Sequence, residues 1–100
     1  MPNILDSFRL DNKIALVTGS AGGMGQAIAV ALAQAGAAIA THDMRPPTNT
    51  VEIVEAAGGK AAAFAADLSD TAAPDALFKE VLAKFGRVDI LVNNAGIILR

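Results

Sequence analysis

The sequence predicts an α/β domain built on a doubly wound parallel sheet. Short apolar runs alternate along the chain with longer stretches of helix formers, in the order β-α-β-α-β-α-β. The apolar runs are nearly continuous, which is typical of strands that are covered on both faces. Parallel strands that are joined by right-handed helical crossovers give the doubly wound class.

The first strand and the first helix meet at a cluster of glycines. The run "KIALVTG" (13–19) is apolar, contains β-branched residues and ends at glycine, which predicts a buried strand. Residues 23–35 are rich in alanine and place Ile28 and Leu32 four positions apart, which predicts a helix that packs one face. Gly36 stands where the C-terminal end of this helix is expected.

The second strand is predicted at "AAIATHD" (37–43). The following "MRPPTNT" (44–50) is interpreted as a loop, because its two prolines are incompatible with a helix interior. A short helix is then predicted within "TVEIVEAAGG" (50–59), where the two closing glycines stop it.

The third strand is predicted at "KAAAFAAD" (60–67), although its alanines make it weak by propensity. A helix follows over 71–85, with an apolar stripe along 77–85 that is expected to lie in the core, and Gly86 ends it. The run "VDILVNNAG" (88–96) predicts a fourth strand that leads into a polar turn. Asp89 begins this strand and is expected to be a fold-stabilising or solvated carboxylate.

The composition excludes several classes of function. The chain has 100 residues and a formal net charge of −2, and its eight Lys and Arg residues are scattered, so we expect no nucleic-acid partner. It has no cysteine and a single histidine, His42, so we expect neither disulfides nor a metal site. His42 shows no partner in the sequence pattern, and we assign it no catalytic role.

The sequence also shows no membrane or secretion signal. The N-terminal segment carries charges where the apolar core of a signal peptide would lie. The most apolar stretch, 27–40, is interrupted by Gln34 and Gly36 and is shorter than the ~20 residues that a membrane span needs. We therefore expect a cytoplasmic protein with no membrane contact.

The glycine cluster between the first strand and the first helix predicts a phosphate-binding loop. Glycines let backbone N–H groups approach a phosphate, and the helix N-terminus adds the positive end of its dipole. The spacing is not G-x-G-x-x-G, because Ile28 stands where a small residue is needed. The Gly-Lys-Ser/Thr of a P-loop is also missing, which argues against triphosphate hydrolysis.

The pattern Thr18-Gly19-x-x-x-Gly23-x-Gly25 resembles the cofactor loop of the short-chain dehydrogenase/reductase family. Further matching features follow in the right order, and the resemblance covers residues 8–98. It implies a Rossmann-type fold and NAD(P)-dependent interconversion of a secondary alcohol and a ketone. A small-molecule alcohol or ketone would then be the substrate.

Asp43 lies 18 residues after Gly25, at the end of the second predicted strand. A carboxylate there can accept hydrogen bonds from both hydroxyls of the adenosine ribose, and it would repel a 2′-phosphate. We therefore expect NAD as the cofactor. NADP stays an alternative because the basic residue Arg45 follows closely after Asp43. The alternative is that Asp43 only caps a loop.

Two more strand ends carry residues that match the family. Asp67 and Leu68 resemble the pair that borders the adenine ring, and Asn93–Gly96 resembles the N-N-A-G motif that borders the cofactor. The resemblance thus implies cofactor contacts from Gly19, Gly23, Met24, Gly25, Asp43, Asp67, Leu68, Asn94, Ala95 and Gly96. Structural alternatives stay open: Asp67 as the polar residue of a turn, Asn93 as structural, and Thr18 as a brace of the loop.

The family's catalytic residues are a Ser and a Tyr-x-x-x-Lys pair, and this sequence contains no tyrosine. We expect them beyond Arg100, so that residues 1–100 form the N-terminal part of one NAD(P)-binding domain and are inactive alone. The catalytic and substrate-binding half is then absent, and the fourth strand is left as an apolar edge. The full-length parent is expected to be a homodimer or homotetramer.

Three short stretches of the sequence resemble one branch of the family, which oxidises sugar acids. The stretches "FRLDNKIALVTG", "MRPPTNT" and "LVNNAGIILR" are similar to 2-deoxy-D-gluconate 3-dehydrogenase and gluconate 5-dehydrogenase. A 3-oxoacyl carrier-protein reductase that uses NADP is one alternative. A non-catalytic NAD-binding module of the same fold is the other.

Overall fold

Four parallel strands and three helices make up residues 9–94, the part of the chain that the computed structural model describes. The strands are β1 (Ile14–Thr18), β2 (Ala38–Asp43), β3 (Ala61–Ala65) and β4 (Ile90–Asn93). The helices are α1 (Gly23–Gln34), α2 (Thr48–Ala56) and α3 (Ala73–Phe85). The predicted order of elements is confirmed.

The strand order in the sheet is β3-β2-β1-β4, and every pairing is parallel. The chain thus runs outward from β1 through β2 to β3 and then crosses back to place β4 on the other side of β1. This reversal between β1 and β4 confirms the doubly wound class. It also opens a crevice at the carboxyl ends of these two strands, where ligands bind in open α/β sheets.

Helices cover the two faces of the sheet, as the side-chain alternation of β1 shows. Ala15 and Val17 pack with Ala29 of α1, whereas Leu16, between them in sequence, packs with Leu77 of α3. Successive side chains of a strand point to opposite faces, so α1 and α3 lie on opposite sides. The first helix packs on β1 and β2, and α2 packs against α1 and β3.

Two helices begin at positions other than those predicted. The second begins at Thr48, so the predicted loop 44–50 is too long, because Pro47 occupies the N-cap position, where its fixed φ and missing N–H cost nothing. The third begins at Ala73 instead of residue 71. Asp70 holds residues 70–72 in a turn, since its Oδ1 accepts the Ala72 N–H at 3.0 Å.

The apolar stripe of α3 is confirmed as core at Leu77 and Val81, which are buried. Phe85 is partly buried and meets Phe64 of β3 with ring centroids 6.5 Å apart and planes tilted by 52°. Gly86 ends the helix with a φ of 87°, in the left-handed region that favours glycine.

The outer strand β4 leaves part of one face uncovered within the described residues. Leu91 pairs in register with Leu16 and so points to the same face, yet it is 58% exposed, whereas Leu16 is buried. Phe78 of α3 is also exposed. The expected apolar edge is therefore present at β4.

Asp89 joins the amino ends of β1 and β4. Its Oδ2 accepts the Ile14 N–H at 2.8 Å and the Arg87 Nε–H at 2.9 Å. These two hydrogen bonds, the Ile14 one foremost, hold the pKa of the Asp89 carboxyl below its ordinary value. The carboxylate thus stabilises the fold, as expected.

Within residues 9–94, each of the helices is too short or too polar to cross a membrane.

Candidate functional site

The carboxyl ends of all four strands open on one cavity of about 870 Å³. It lies at the crevice where the strand order reverses, and α3 forms its outer wall. The lining includes residues from each strand end, among them Thr18, His42, Asp43, Asp67 and Asn93. The topology therefore brings together strand-end residues from four separate segments of the sequence.

The glycine loop leaves open space in front of α1. Gly23 has a φ of 57°, where a side chain would be strained, and a Cβ added at Gly22 or Gly23 would meet nothing within 4 Å. The N-cap Gly22 makes no side-chain capping bond, and the first turn of α1 has no acidic residue. Among residues 9–94, the N-terminus of α1 thus leaves room beside Gly22 and Gly23, which fits an anionic group.

Gly25 lets α1 lie directly on the end of β1. A Cβ at this position would collide with the carbonyl oxygen of Gly19 and would lie 2.8 Å from Asn94 Nδ2. The third glycine of the loop is therefore a packing requirement of the helix against the strand end. Met24 beside it is 67% exposed at the mouth of the loop.

The first glycine of the loop is held from two sides. Gly19 has a φ of 63°, its N–H donates to His42 Nδ1 at 3.3 Å, and its carbonyl oxygen accepts Asn94 Nδ2 at 3.1 Å. The first of these contacts comes from β2 and the second from the residue after β4. Asn94 is thus placed at the loop, where sequence reasoning expected a cofactor residue.

Thr18 joins the carboxyl ends of β1 and β4. Its hydroxyl lies 3.3 Å from the Val92 carbonyl oxygen and 3.3 Å from Asn93 Oδ1. The physical reason is strand alternation, since Thr18 and Asn93 are register partners on one face. Asn93 has a structural contact here, as the alternative interpretation proposed.

Sequence reasoning missed a second set of contacts that hold the middle of the loop. Ser20 is fully buried, and its hydroxyl accepts the His42 N–H at 2.9 Å. The Thr50 hydroxyl donates to the Ser20 carbonyl oxygen at 2.5 Å, and Gln26 Nε2 lies 3.0 Å from Thr50 Oγ1. No local signal pointed to Thr50, because it acts only after the first turn of α2 folds against the loop.

Asp43 already has two backbone partners. Its Oδ2 accepts the Ala21 N–H at 3.0 Å, and its Oδ1 accepts the Met44 N–H at 2.9 Å. A carboxylate offers about four acceptor positions, so each oxygen keeps one for a ligand. Asp43 also lines the cavity and is partly exposed, so bracing the loop and contacting a ligand are compatible.

His42, for which the sequence pattern showed no partner, has a partner at each ring nitrogen. Its Nδ1 accepts the Gly19 N–H, its Nε2 lies 2.8 Å from the Ala66 carbonyl oxygen, and the residue is only 2% exposed. Both ring nitrogens of a histidine within a buried strand need hydrogen-bond partners, so the position of His42 in a predicted buried strand already indicated that partners exist. The distance along the chain hid the partners, which lie 23 and 24 residues away.

Asp67 lies in a turn at the end of β3. Its Oδ1 accepts the Ser69 hydroxyl at 2.6 Å and the Ser69 N–H at 3.0 Å. These bonds, the hydroxyl one first, lower the pKa of the Asp67 carboxyl below its ordinary value. Asp67 and Leu68 both line the cavity. Ala95 and Gly96, the remaining expected contacts, lie outside the described residues.

Comparison with protein families agrees with this geometry. The model of the family described as short chain dehydrogenase matches residues 13–100. A relative from Dickeya dadantii (strain 3937), a 2-dehydro-3-deoxy-D-gluconate 5-dehydrogenase, is 47% identical over 97 residues. That match covers 97% of this chain and 38% of the relative, so the chain spans well under half of the relative's length.

Solved structures share the same arrangement of elements. A dehydrogenase/reductase from Sinorhizobium meliloti 1021 superposes with a TM-score of 0.88 at 40% identity, over 94% of this chain and 38% of that one. A 7α-hydroxysteroid dehydrogenase, solved in complex with NADH and 7-oxo glycochenodeoxycholic acid, gives a TM-score of 0.86 at 37% identity. It is matched over 93% of this chain and 37% of its own.

Proposed function

The chain belongs to the short-chain dehydrogenase family, and from that premise we propose that it is the NAD-binding part of an oxidoreductase that interconverts a secondary alcohol and a ketone. The observation that carries the proposal is the open glycine loop at the N-terminus of α1, with the Asp43 carboxylate bonded to the same loop. A sugar acid is the proposed substrate class. The name of the Dickeya relative supports it.

We assign the dinucleotide's pyrophosphate to the space in front of α1. Gly23, Met24 and Gly25 provide the first backbone N–H groups of the helix, and an anion there gains from the positive end of the helix dipole. Gly25 lets α1 pack directly on the Gly19 carbonyl oxygen, so the helix begins close to the end of β1. When bound, the nicotinamide ring supplies hydride transfer to or from the substrate carbon.

Asp43 is assigned to the adenosine ribose. Its two free acceptor positions match two vicinal hydroxyl donors, and its negative charge disfavours a 2′-phosphate. The proposed cofactor is therefore NAD. The NADH in the solved 7α-hydroxysteroid dehydrogenase complex supports a nicotinamide cofactor of this type for the family.

The remaining contacts are assigned by their position at the cavity. Asp67 and Leu68 line it at the end of β3 and are assigned to the adenine ring. Asn94, which holds the Gly19 carbonyl oxygen, is assigned with Ala95 and Gly96 to the side of the cofactor near β4.

The reaction itself needs residues that this sequence lacks. A Ser and a Tyr-x-x-x-Lys are assigned beyond residue 100, since the sequence contains no tyrosine. Residues 1–100 are accordingly proposed as the N-terminal part of one NAD(P)-binding domain, inactive alone. The parent enzyme is proposed to be a cytoplasmic homodimer or homotetramer with no membrane or nucleic-acid contact.

A second candidate is an enzyme that uses NADP, such as a 3-oxoacyl carrier-protein reductase. The observation that favours it is Arg45, an exposed cation two residues after Asp43 that could pair with a 2′-phosphate.

Titration of the chain with NAD⁺ and with NADP⁺, followed by calorimetry, tests these proposals. We expect saturable binding of NAD⁺ and an affinity for NADP⁺ that is about tenfold lower or weaker still, the cost of one uncompensated charge contact. Equal affinities, or tighter binding of NADP⁺, would favour the second candidate. Absence of binding to both dinucleotides would overturn the cofactor assignment altogether.

A further inference from the structure

One buried imidazole joins the ends of three strands. His42, at the end of β2, is 2% exposed and is the only histidine of the sequence. Its Nδ1 lies 3.3 Å from the Gly19 nitrogen, just after β1, and its Nε2 lies 2.8 Å from the Ala66 oxygen, just after β3. Both ring nitrogens are therefore used by the protein backbone.

These two partners determine where the ring carries its proton. A backbone N–H can only donate, so Nδ1 facing Gly19 must offer its lone pair. A carbonyl oxygen can only accept, so Nε2 facing Ala66 must carry the hydrogen. The arrangement therefore requires the neutral ring with its proton on Nε2.

We propose that His42 is a positioning residue for the dinucleotide, and this inference rests on the cofactor site proposed above. By accepting the Gly19 N–H, the bare Nδ1 holds the left-handed turn, φ 63°, with which the glycine loop begins. The carbonyl oxygen of Gly19 is the atom against which Gly25 packs. A fixed position of Gly19 therefore determines both where the loop begins and where α1 lies on the end of β1.

The backbone of His42 strengthens this contact. Its carbonyl oxygen accepts the Ser20 N–H at 2.7 Å and its N–H donates to the Ser20 hydroxyl at 2.9 Å. One residue of β2 therefore holds Gly19 through its ring and Ser20 through its main chain. The loop is ordered before a ligand arrives, so less conformational entropy is lost when a dinucleotide binds.

Nitrogen NMR of the ¹⁵N-labelled chain tests the proton position directly. A single histidine gives one pair of ring nitrogens, so assignment is unambiguous. We expect an unprotonated, pyridine-type Nδ1 and a protonated, pyrrole-type Nε2. A proton on Nδ1, or averaging of the two tautomers, would overturn the proposal.

Two amide substitutions separate the two contacts of the ring. The Asn side-chain oxygen branches from Cγ, as Nδ1 does, so His42→Asn can still accept the Gly19 N–H. The Gln amide reaches the position of Nε2, so His42→Gln can keep the Ala66 contact but not the Gly19 contact. We expect the dissociation constant for NAD⁺ to stay within about threefold for His42→Asn and to rise about tenfold for His42→Gln, the value of one hydrogen bond.

Asp89→Asn is the matched control, because it weakens a strand-end contact at the opposite end of the sheet. It is expected to leave the affinity for NAD⁺ unchanged. Equal losses in His42→Asn and His42→Gln, or an equal loss in Asp89→Asn, would mean that His42 acts only through general stability, which overturns the proposal. If His42→Gln fails to fold, two results test the proposal. A proton on Nδ1 of the unsubstituted chain, or a loss of NAD⁺ affinity of more than about threefold in His42→Asn, would overturn it.

Different results would contradict the proposed cofactor site and the proposed role of His42. If the unsubstituted chain does not bind NAD⁺, the proposed cofactor site is wrong, and a correct tautomer would then leave His42 as a brace of the loop without a cofactor role. If the chain binds NAD⁺ but the tautomer or the Asn and Gln pair disagrees, only the role of His42 is wrong.

Discussion

The carboxylate of Asp43 accepts the backbone N–H of Ala21 at 3.0 Å, which ties the end of β2 to the middle of the glycine loop. The residue expected to select the cofactor therefore also shapes the loop that would hold it. Substitutions at Asp43 have two separable consequences, one through charge and one through this hydrogen bond.

Asp43→Asn removes the charge but keeps an oxygen that can accept the Ala21 N–H. We expect the affinity for NADP⁺ to rise toward that for NAD⁺, because the 2′-phosphate no longer meets a carboxylate. Asp43→Ala loses both effects and is expected to weaken NAD⁺ binding by about tenfold as well. Paired calorimetric titrations of each variant with both dinucleotides measure this. Unchanged affinities for both would refute the ribose role.

Gly25→Ala should destabilise the fold, because the new methyl group collides with the Gly19 carbonyl oxygen. Backbone cannot yield as a flexible side chain does, so we expect a loss of about 2 kcal/mol or more in the free energy of unfolding. Gly22→Ala is the control, since the extended backbone of Gly22 suits any residue and a Cβ there meets none of the described residues within 4 Å. Urea denaturation followed by circular dichroism compares the two, and equal losses would contradict the packing role of Gly25.

Asp89 should make the free energy of unfolding depend on pH in the acidic range. Its carboxyl pKa is held below the ordinary value in the folded chain by the Ile14 N–H and then by Arg87, so the unfolded chain binds the proton more readily. This stability is therefore present above the unfolded pKa and is lost as pH falls through the folded value. The expected window lies below about pH 4, the ordinary pKa of an aspartate.

Asp89→Asn should accordingly reduce the loss of stability between about pH 4 and pH 2. Urea denaturation across that range measures the slope. The dependence should not vanish, because Asp11 and Asp67 also have lowered pKa values. Glu52→Gln, on the exposed side of α2, controls for net charge, and an equal flattening in that variant would contradict a specific role of Asp89.

The order of elements and the family could be predicted from the sequence because their signals are local. The apolar run of β1, the glycines and the alanine-rich stretch of α1 follow one another within about twenty residues, and each has its own period. The same holds for Asp43 and Asp67, which mark strand ends. Parallel topology then brings strand ends to one edge whatever their separation in sequence.

What could not be predicted depends on register between distant segments. His42 meets Gly19 only because β2 pairs with β1 in the register that aligns Thr41 with Val17. Thr50 reaches Ser20 only because Pro47 starts α2 earlier than its apolar pattern suggests. Such contacts join a side chain to the backbone across 20 to 30 residues, and no periodicity in one sequence reports them.

The exposed face at β4 gives the last prediction. Leu91 is 58% exposed on a strand that pairs only with β1 among the described residues, and such an edge favours association between chains. Leu91→Thr places a polar, β-branched residue that suits a strand at this position and should lower self-association of the 100-residue chain, with a change in unfolding free energy of about 0.5 kcal/mol or less.

Leu16→Thr is the matched control, since Leu16 is the register partner of Leu91 but is 2% exposed. Burying a hydroxyl and losing core volume there should cost about 3 kcal/mol or more. Sedimentation equilibrium at rising protein concentration measures association, and urea denaturation measures stability. If Leu91→Thr associates as strongly as the unsubstituted chain, the β4 face is not the surface through which the chains meet. If it unfolds as readily as Leu16→Thr, Leu91 contributes to the core despite its exposure.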